Sequence, residues 1–472
     1  MNIKKIDWIF LVIILISIFI RMWRLSSIDF SNNEIVYLKE AKTFIDTGRY
    51  VDSRTGEKAR HPLTSDLIFV LYAKVLDFMG FKLNEFNSRL LNLFSFIFLI
   101  ILLYFGLKGH LPREELYVYL LIYSFFMPAI EYSRSLKLVN MDVLWSFIVY
   151  FLFVRVANSD GKKYLLWYYI FALWYFLTSY IHLVLPVFIL FYYFFYPSKR
   201  VKKILIYTSV MALPFAVFSA YFINVNKLCV SDIGSPMIEF IETFVVSFSM
   251  DFFPIILSLA IFWISVFYFL RNKIISSENP FFIFWVANAC FALIPTFFYW
   301  IVKGGHFFQQ AILFPTQWIR PLIIVHALYI WAKRLRRKQA FYILAFILLF
   351  FEINSTNWII KPGFRDLKRL ITKDKTIYFY KNTSLHLPTL SYYFPDKKLI
   401  SIDKNTNFKG NSVVLIPMYN DTEIINEFPF NFFYKRNNPN LSEIVKKISD
   451  RIESERIFSY HQEEDFTAYF LK

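Results

Sequence analysis

WIFLVIILISIFIRMWRLSSIDFSNNEIVYL, residues 8–38, decides the reading of the fold. It runs from an unbroken apolar stretch at 8–20 through Arg21, Trp23 and Arg24 into a polar segment holding Asp29, Asn32, Asn33 and Glu34. A bilayer core takes about 20 residues of helix. The apolar part with its basic and aromatic flank therefore reads as a span near 8–23 that ends at a membrane interface. No small-residue cleavage site follows it, so it reads as a retained anchor rather than a signal peptide.

Composition extends that reading to the whole chain. Of 472 residues, 57% are hydrophobic and only 18% charged, a balance that excludes an ordinary water-soluble enzyme of this length. The net charge of +17 does not indicate nucleic acid, because the Lys and Arg residues sit in short blocks between apolar runs, as positive-inside topology requires. With only Cys229 and Cys290 present, there is no basis for a disulfide framework or a thiolate metal site.

Eleven spans are predicted, near 8–23, 90–107, 116–130, 143–156, 164–179, 183–196, 204–222, 252–270, 281–301, 320–332 and 339–354. The stretch LTSDLIFVLYAKVLDFMGF, 63–81, is interrupted by Asp66, Lys74 and Asp77. Leaving it unspanned keeps Lys108, Arg113, Arg155, Lys199, Arg271 and Arg334 on the side of Lys4 and Lys5, so it reads as an amphipathic helix lying on the outer face. The N-terminus is then cytoplasmic and the segment beyond about residue 355 is extracytoplasmic. That segment is polar, with strand-like KTIYFY, KKLISI, SVVLIPM and FTAYFLK and a helix-like LSEIVKKISDRI. Sequons at Asn354, Asn382, Asn420 and Asn440 agree with an external face. The expected architecture is an all-α polytopic membrane domain over 1–355, with a first outer loop at 24–89, and a small α/β domain over 356–472.

The polar residues that break this apolar plan collect in outer loops. In the first, Ile35, Leu38, Ala41 and Ile45 stand near helical spacing, so Glu34 opens a surface helix that Asn32 or Asn33 would cap. A second loop, EYSRSLKLVNMDVLW (131–145), holds Glu131, Arg134, Lys137 and Asp142. A third, KGGHFFQQAILFPTQWIR (303–320), adds Lys303, His306 and Arg320. Each has a plain structural reading: a carboxylate favoured by a helix dipole, an ion pair, a solitary histidine. Together they place carboxylates and cations on one face of a membrane body, which suits transfer from a lipid-linked anion: a carboxylate takes the proton of an acceptor hydroxyl while Arg, Lys or His stabilises the departing phosphate.

These residues resemble the polytopic GT-C glycosyltransferases, in the branch of the protein O-mannosyltransferases and lipid A aminoarabinose transferases. RLSSIDFSNNEIVYLKEAKTFIDTGRY is similar to that family's first outer loop, with Asn33, Glu34 and Tyr37 on its acidic pair and tyrosine, and Thr47, Gly48 and Tyr50 on its later Gly-aromatic step. His61, Pro62 and Leu63 match its His/Lys-Pro-Pro-Leu element without the second proline. NEFNSRLLNLF resembles the start of its second span, and Ser133, Arg134 and Asp142 resemble its second acidic loop. The resemblance implies an external active site, a polyprenyl-phosphate sugar donor and inversion at the sugar carbon. It also implies a first-loop carboxylate as base; here Asn33 departs from the acidic pair, leaving Glu34, with Asp29 as fallback. Asp142 would orient the acceptor or the first loop, and Arg60, His61, Arg134, His306 and Lys303 would hold the lipid phosphate. No metal-ligand spacing is visible, and a divalent ion is neither required nor excluded.

The expected partners are membrane lipids, the polyprenyl-phosphate-linked sugar and an acceptor protein, lipid or glycan. Two other functions stay open. A non-catalytic protein of this fold would bind the polyprenyl lipid without turnover, as the amide at Asn33 allows. A transporter or flippase for lipid-linked or small polar solutes would place its ionisable residues near mid-membrane in related halves, which this sequence does not show.

Overall fold

A computed structural model of the chain describes residues 7–23, 25, 32–48, 63–126, 129–130, 133–134, 136, 139–158, 162–178, 180–226, 318–355, 364–371, 376–379, 387–402, 406–409, 411–417, 425–427, 432–434, 446, 448–460 and 464–471. Two compact units emerge: one of residues 1–23, 61–67 and 90–356, the other of 24–60, 68–89 and 357–472.

The first unit is helical. Its described helices are α1 (Trp8–Met22), then, after α2 (Asn32–Thr47) and α3 (Leu63–Phe78) earlier in the chain, α4 (Glu85–Leu107), α5 (Arg113–Phe125), α6 (Val139–Asn158), α7 (Lys162–Thr178), α8 (Val184–Phe195), α9 (Lys199–Asn226), α10 (Ile319–Arg334) and α11 (Lys338–Ser355). Nine of the eleven predicted spans fall on these helices; those at 252–270 and 281–301 lie outside the described residues. By length and apolar composition, two described helices suffice to cross a bilayer, Glu85–Leu107 and Met141–Asn158. Helix α5 ends earlier than predicted, at Phe125. Phe126 is extended at φ −60°, ψ 116°, two residues before Pro128, whose missing N–H and steric demand oppose continuation.

Several of these helices are inside out by the standards of a soluble protein. On α1 the outward side chains are Trp8, Ile9, Val12, Leu15 and Phe19, while Ser17 and Arg21 are buried. Leu166, Trp167, Ile170, Leu173 and Leu177 on α7 repeat the same spacing outward, as do Ile206, Tyr207, Val210, Leu213 and Val217 on α9. An apolar stripe of this length facing out on helix after helix has water-free surroundings as its natural environment. Inside, aromatic layers knit α6, α7 and α8: Phe153 meets Phe188 and Tyr192 edge to face at 5.3 and 5.0 Å. Gly106 lets α4 approach α6, since a Cβ there would stand 2.8 Å from Phe147 Cζ. At the start of α1, Asp7 caps Phe10 N–H at 3.2 Å and accepts from Tyr104 at 2.6 Å and from Tyr117, tying α1 to α4 and α5.

The second unit combines α2, most of α3 and the first turn of α4 with the C-terminal segment. A five-stranded mixed sheet is formed by β1 (Thr376–Phe379), β2 (Leu399–Ser401), β3 (Ser412–Pro417), β6 (Ile452–Tyr460) and β7 (Glu464–Leu471), in the order β2-β1-β3-β7-β6; β4 (Ile425–Glu427) and β5 (Phe432–Tyr434) form a separate hairpin. Strands β2, β1 and β3 run parallel, and β3, β7 and β6 antiparallel. The four strand-like pieces expected from the sequence are β1, β2, β3 and β7. Short helices α12 (Phe364–Leu370) and α13 (Leu387–Tyr393) accompany them, and α13 packs on α2, with Lys39 Nζ 3.3 Å from Ser391 Oγ. Of the helix expected over 441–452, 446 and 448 are helical, Ser449–Arg451 form a 3-10 turn, Ile452 already opens β6, and the remaining residues lie outside the described ones.

Candidate functional site

Each unit holds a buried arrangement of charge that the sequence had marked in part. In the second unit, α2 opens at Asn32, so Asn32 and Asn33 lie in its first turn rather than capping it from outside, and Glu34 stands in that same turn. The helix closes at Gly48, whose φ of 69° is the left-handed conformation that favours glycine at a helix end. Glu34 is fully buried, and Arg89, at the start of α4, is fully buried against it. Arg89 Nε donates to Glu34 Oε1 at 3.0 Å and Nη2 to Oε2 at 3.1 Å, while Nη1 donates to the Leu25 carbonyl at 3.2 Å. This two-pronged bond locks the beginning of α2 to the beginning of α4.

The first unit holds Asp142 in the first turn of α6, about one-fifth exposed. Facing it is His182, from a single 3-10 turn (Tyr180–Leu183) between α7 and α8. His182 Nε2 lies 3.5 Å from Asp142 Oδ1, and the buried imidazole stacks on Tyr175 with ring centres 3.6 Å apart. Its Nδ1 stands 2.5 Å from the Tyr175 carbonyl and 3.0 Å from Thr178 Oγ1. A carbonyl only accepts, so Nδ1 carries the hydrogen. Burial pushes the imidazole down to about 3, against the smaller upward pull of the Tyr175 carbonyl, so the ring alone is neutral. In that tautomer Nε2 turns a lone pair toward the carboxyl group, and Nε2 has no hydrogen-bond partner among the described residues. A proton placed between the two groups would join them.

Two guanidinium groups are buried near the end of α1. Arg21 is fully buried, lies 3.3 Å from the Phe96 ring centre, and donates from Nη1 to the Ser124 carbonyl at 2.8 Å and the Ser17 carbonyl at 3.3 Å. Its Nε and Nη2 have no hydrogen-bond partner among the described residues. Arg134 donates from Nη2 to the Trp23 carbonyl at 2.9 Å and stands within electrostatic reach of Arg21. Two like charges brought together out of water make a strong anion attractor. Arg320 is buried in the first turn of α10.

Of the residues predicted to act, Glu34, Asp142 and Arg134 are therefore placed. Asn33 lies in the first turn of α2, its side chain outside the description; Asp29, Arg60, His61, Lys303 and His306 lie outside the described residues. Sequence reasoning missed Arg89, His182 and Arg21. Arg89 sat in a motif noticed only as the start of a span, and His182 and Arg21 were single polar residues beside or within apolar runs, whose burial among apolar neighbours is the signal that was available. No cluster of three or more His, Cys, Asp or Glu suited to a metal ion occurs among the described residues.

The described helices, several with outward apolar stripes, and the small mixed sheet share their overall fold with solved structures of the GT-C superfamily. The particular likeness is to ArnT, the aminoarabinose transferase, from Cupriavidus metallidurans. The apo structure superposes with a TM-score of 0.54 at 12% identity, and the structure bound to undecaprenyl phosphate with 0.53 at 12%, each over 97% of both chains. The oligosaccharyltransferase of Archaeoglobus fulgidus, tethered to an acceptor peptide containing the NVT sequon, superposes with 0.50 at 10% identity over 86% of this chain and 64% of its own. No protein-family model and no curated protein sequence matches the chain.

Proposed function

We propose that this protein is a membrane glycosyltransferase that moves a sugar from a polyprenyl-phosphate donor to an acceptor on the outer face of the membrane. The observation that carries the reading is the fold likeness, over 97% of both chains, to a transferase whose structure holds undecaprenyl phosphate. The chain's own residues support it, because the buried guanidinium groups of Arg21 and Arg134 supply what a lipid phosphate requires.

The proposed step is an inverting displacement. The acceptor hydroxyl gives its proton to Glu34 and its oxygen attacks the anomeric carbon. The bond from that carbon to the phosphate oxygen breaks, and its electron pair leaves with the phosphate. The polyprenyl phosphate gains one negative charge in this step, and Arg134 and Arg21 stabilise it, together with Arg60, His61, Lys303 and His306. Asp142, held by His182, orients the acceptor. Eleven spans, a cytoplasmic N-terminus and an extracytoplasmic domain over 356–472 complete this reading.

One observation favours a second function. Both Glu34 oxygens are already engaged by Arg89, and Asn33 supplies no second carboxylate beside them. A protein so arranged could bind the polyprenyl lipid without transferring its sugar. Purification in mild detergent followed by mass spectrometry of bound lipid, then incubation with a polyprenyl-phosphate sugar, separates the cases. A bound polyprenyl phosphate with turnover is the expected result; lipid without turnover would establish the binder, and neither would remove both.

A further inference from the structure

The turn between α10 and α11, with the start of α5, encloses a cavity of about 380 Å³ at the end of these helices that carries the basic loops. Lys333, Arg336 and Lys338 line it against a single carboxylate, Glu114. Tyr329 and Phe341, edge to face at 5.4 Å, form its apolar wall. Glu114 sits in the first turn of α5, whose cap position is Pro112 with no side-chain cap bond, so the positive end of that helix adds to the field. Lys338 Nζ approaches Glu114 only to 3.8 Å, and both are well exposed, which leaves most of the positive charge uncompensated.

Two features separate this cavity from an ordinary solvated basic loop. Arg336 holds φ at 54°, the left-handed region, where glycine would be relaxed; a long cation kept there at a conformational cost is a mark of use. From the cavity, α11 runs on with Tyr342, Ile343, Phe346, Ile347 and Phe350 facing outward. The cations thus stand at the polar end of an apolar stripe, which is the layout of a lipid's head and tails.

We propose that this cavity binds the phosphate headgroup of an anionic phospholipid, with its acyl chains along α11. The three cations hold the phosphodiester, and the Tyr329–Phe341 wall covers the glycerol. This site is separate from the one proposed for the polyprenyl donor, and its test does not depend on turnover.

The full chain, in nanodiscs of phosphatidylcholine with or without phosphatidylglycerol, is followed by thermal unfolding, and lipid retained after extraction is read by native mass spectrometry. Phosphatidylglycerol is expected to raise the unfolding midpoint and to remain bound, whereas inorganic phosphate leaves the midpoint unchanged. Replacing the cations as Lys333→Gln, Arg336→Gly and Lys338→Gln together should weaken retention about a hundredfold. The same variant should unfold in pure phosphatidylcholine no earlier than the parent, because glycine relieves the turn. Equal retention by the variant, an equal shift from inorganic phosphate, or no preference for phosphatidylglycerol would each overturn the proposal.

Discussion

Replacing Glu34 by Gln separates structure from chemistry at the first-loop carboxylate. Arg89 would keep its bond to the Leu25 carbonyl, and a glutamine oxygen could accept one of the two remaining donors, but the buried guanidinium would lose the charged carboxylate that now holds it through two bonds. Losing one partner of a fully buried pair costs about 3–5 kcal/mol, and the retained oxygen puts this case at the lower end. The double replacement Glu34→Leu with Arg89→Leu removes both charges and should recover most of that loss. Unfolding of all three proteins in one detergent, with transfer assayed below the lowest midpoint, gives the answer. The expectation is a clear loss of stability in the single variant, recovery in the double variant, and no transfer by either. An unchanged midpoint in the single variant would refute the buried pair. Transfer restored along with stability would show that Glu34 is a tether and not the base.

Two further outcomes follow from the same geometry. His182 titrates at about 3 when folded against about 6.5 unfolded, so stability from its neutral form is fully present above pH 6.5 and is lost as pH falls toward 3. Between pH 6.5 and 5 this amounts to at most about 2 kcal/mol, less whatever an ionised Asp142 returns, and the drop in midpoint should vanish in His182→Gln. Gly106→Leu should separate α4 from α6 and lower the stability by about 1–3 kcal/mol or more, the range for overpacking, whereas Gly109→Leu, with open space around it, should not.

Much of the helical plan was legible because a membrane helix writes its length in apolar residues, and the charges that bound it stand in short loops. Strands β1, β3 and β7 were legible because their branched and aromatic residues are buried on the sheet. Strand β6 was not: Glu453 and Glu455 interrupt its apolar pattern, and among the described strands it pairs on one side only, with β7. The charged partnerships were the least legible. Glu34 and Arg89 are 55 residues apart in sequence, and Asp142 finds a histidine beyond an entire intervening helix. Such residues are visible singly as polar exceptions, but their pairing is a property of the packed chain.

The most direct measurement is transfer itself. The purified protein in lipid is given a polyprenyl-phosphate donor with a labelled sugar and a mixture of peptide, lipid and glycan acceptors, and released polyprenyl phosphate is counted. Release of the carrier matched by label on an acceptor, with the sugar inverted at its anomeric carbon, is the result this account predicts. A donor that binds and is never consumed, across sugars and acceptors, would contradict it.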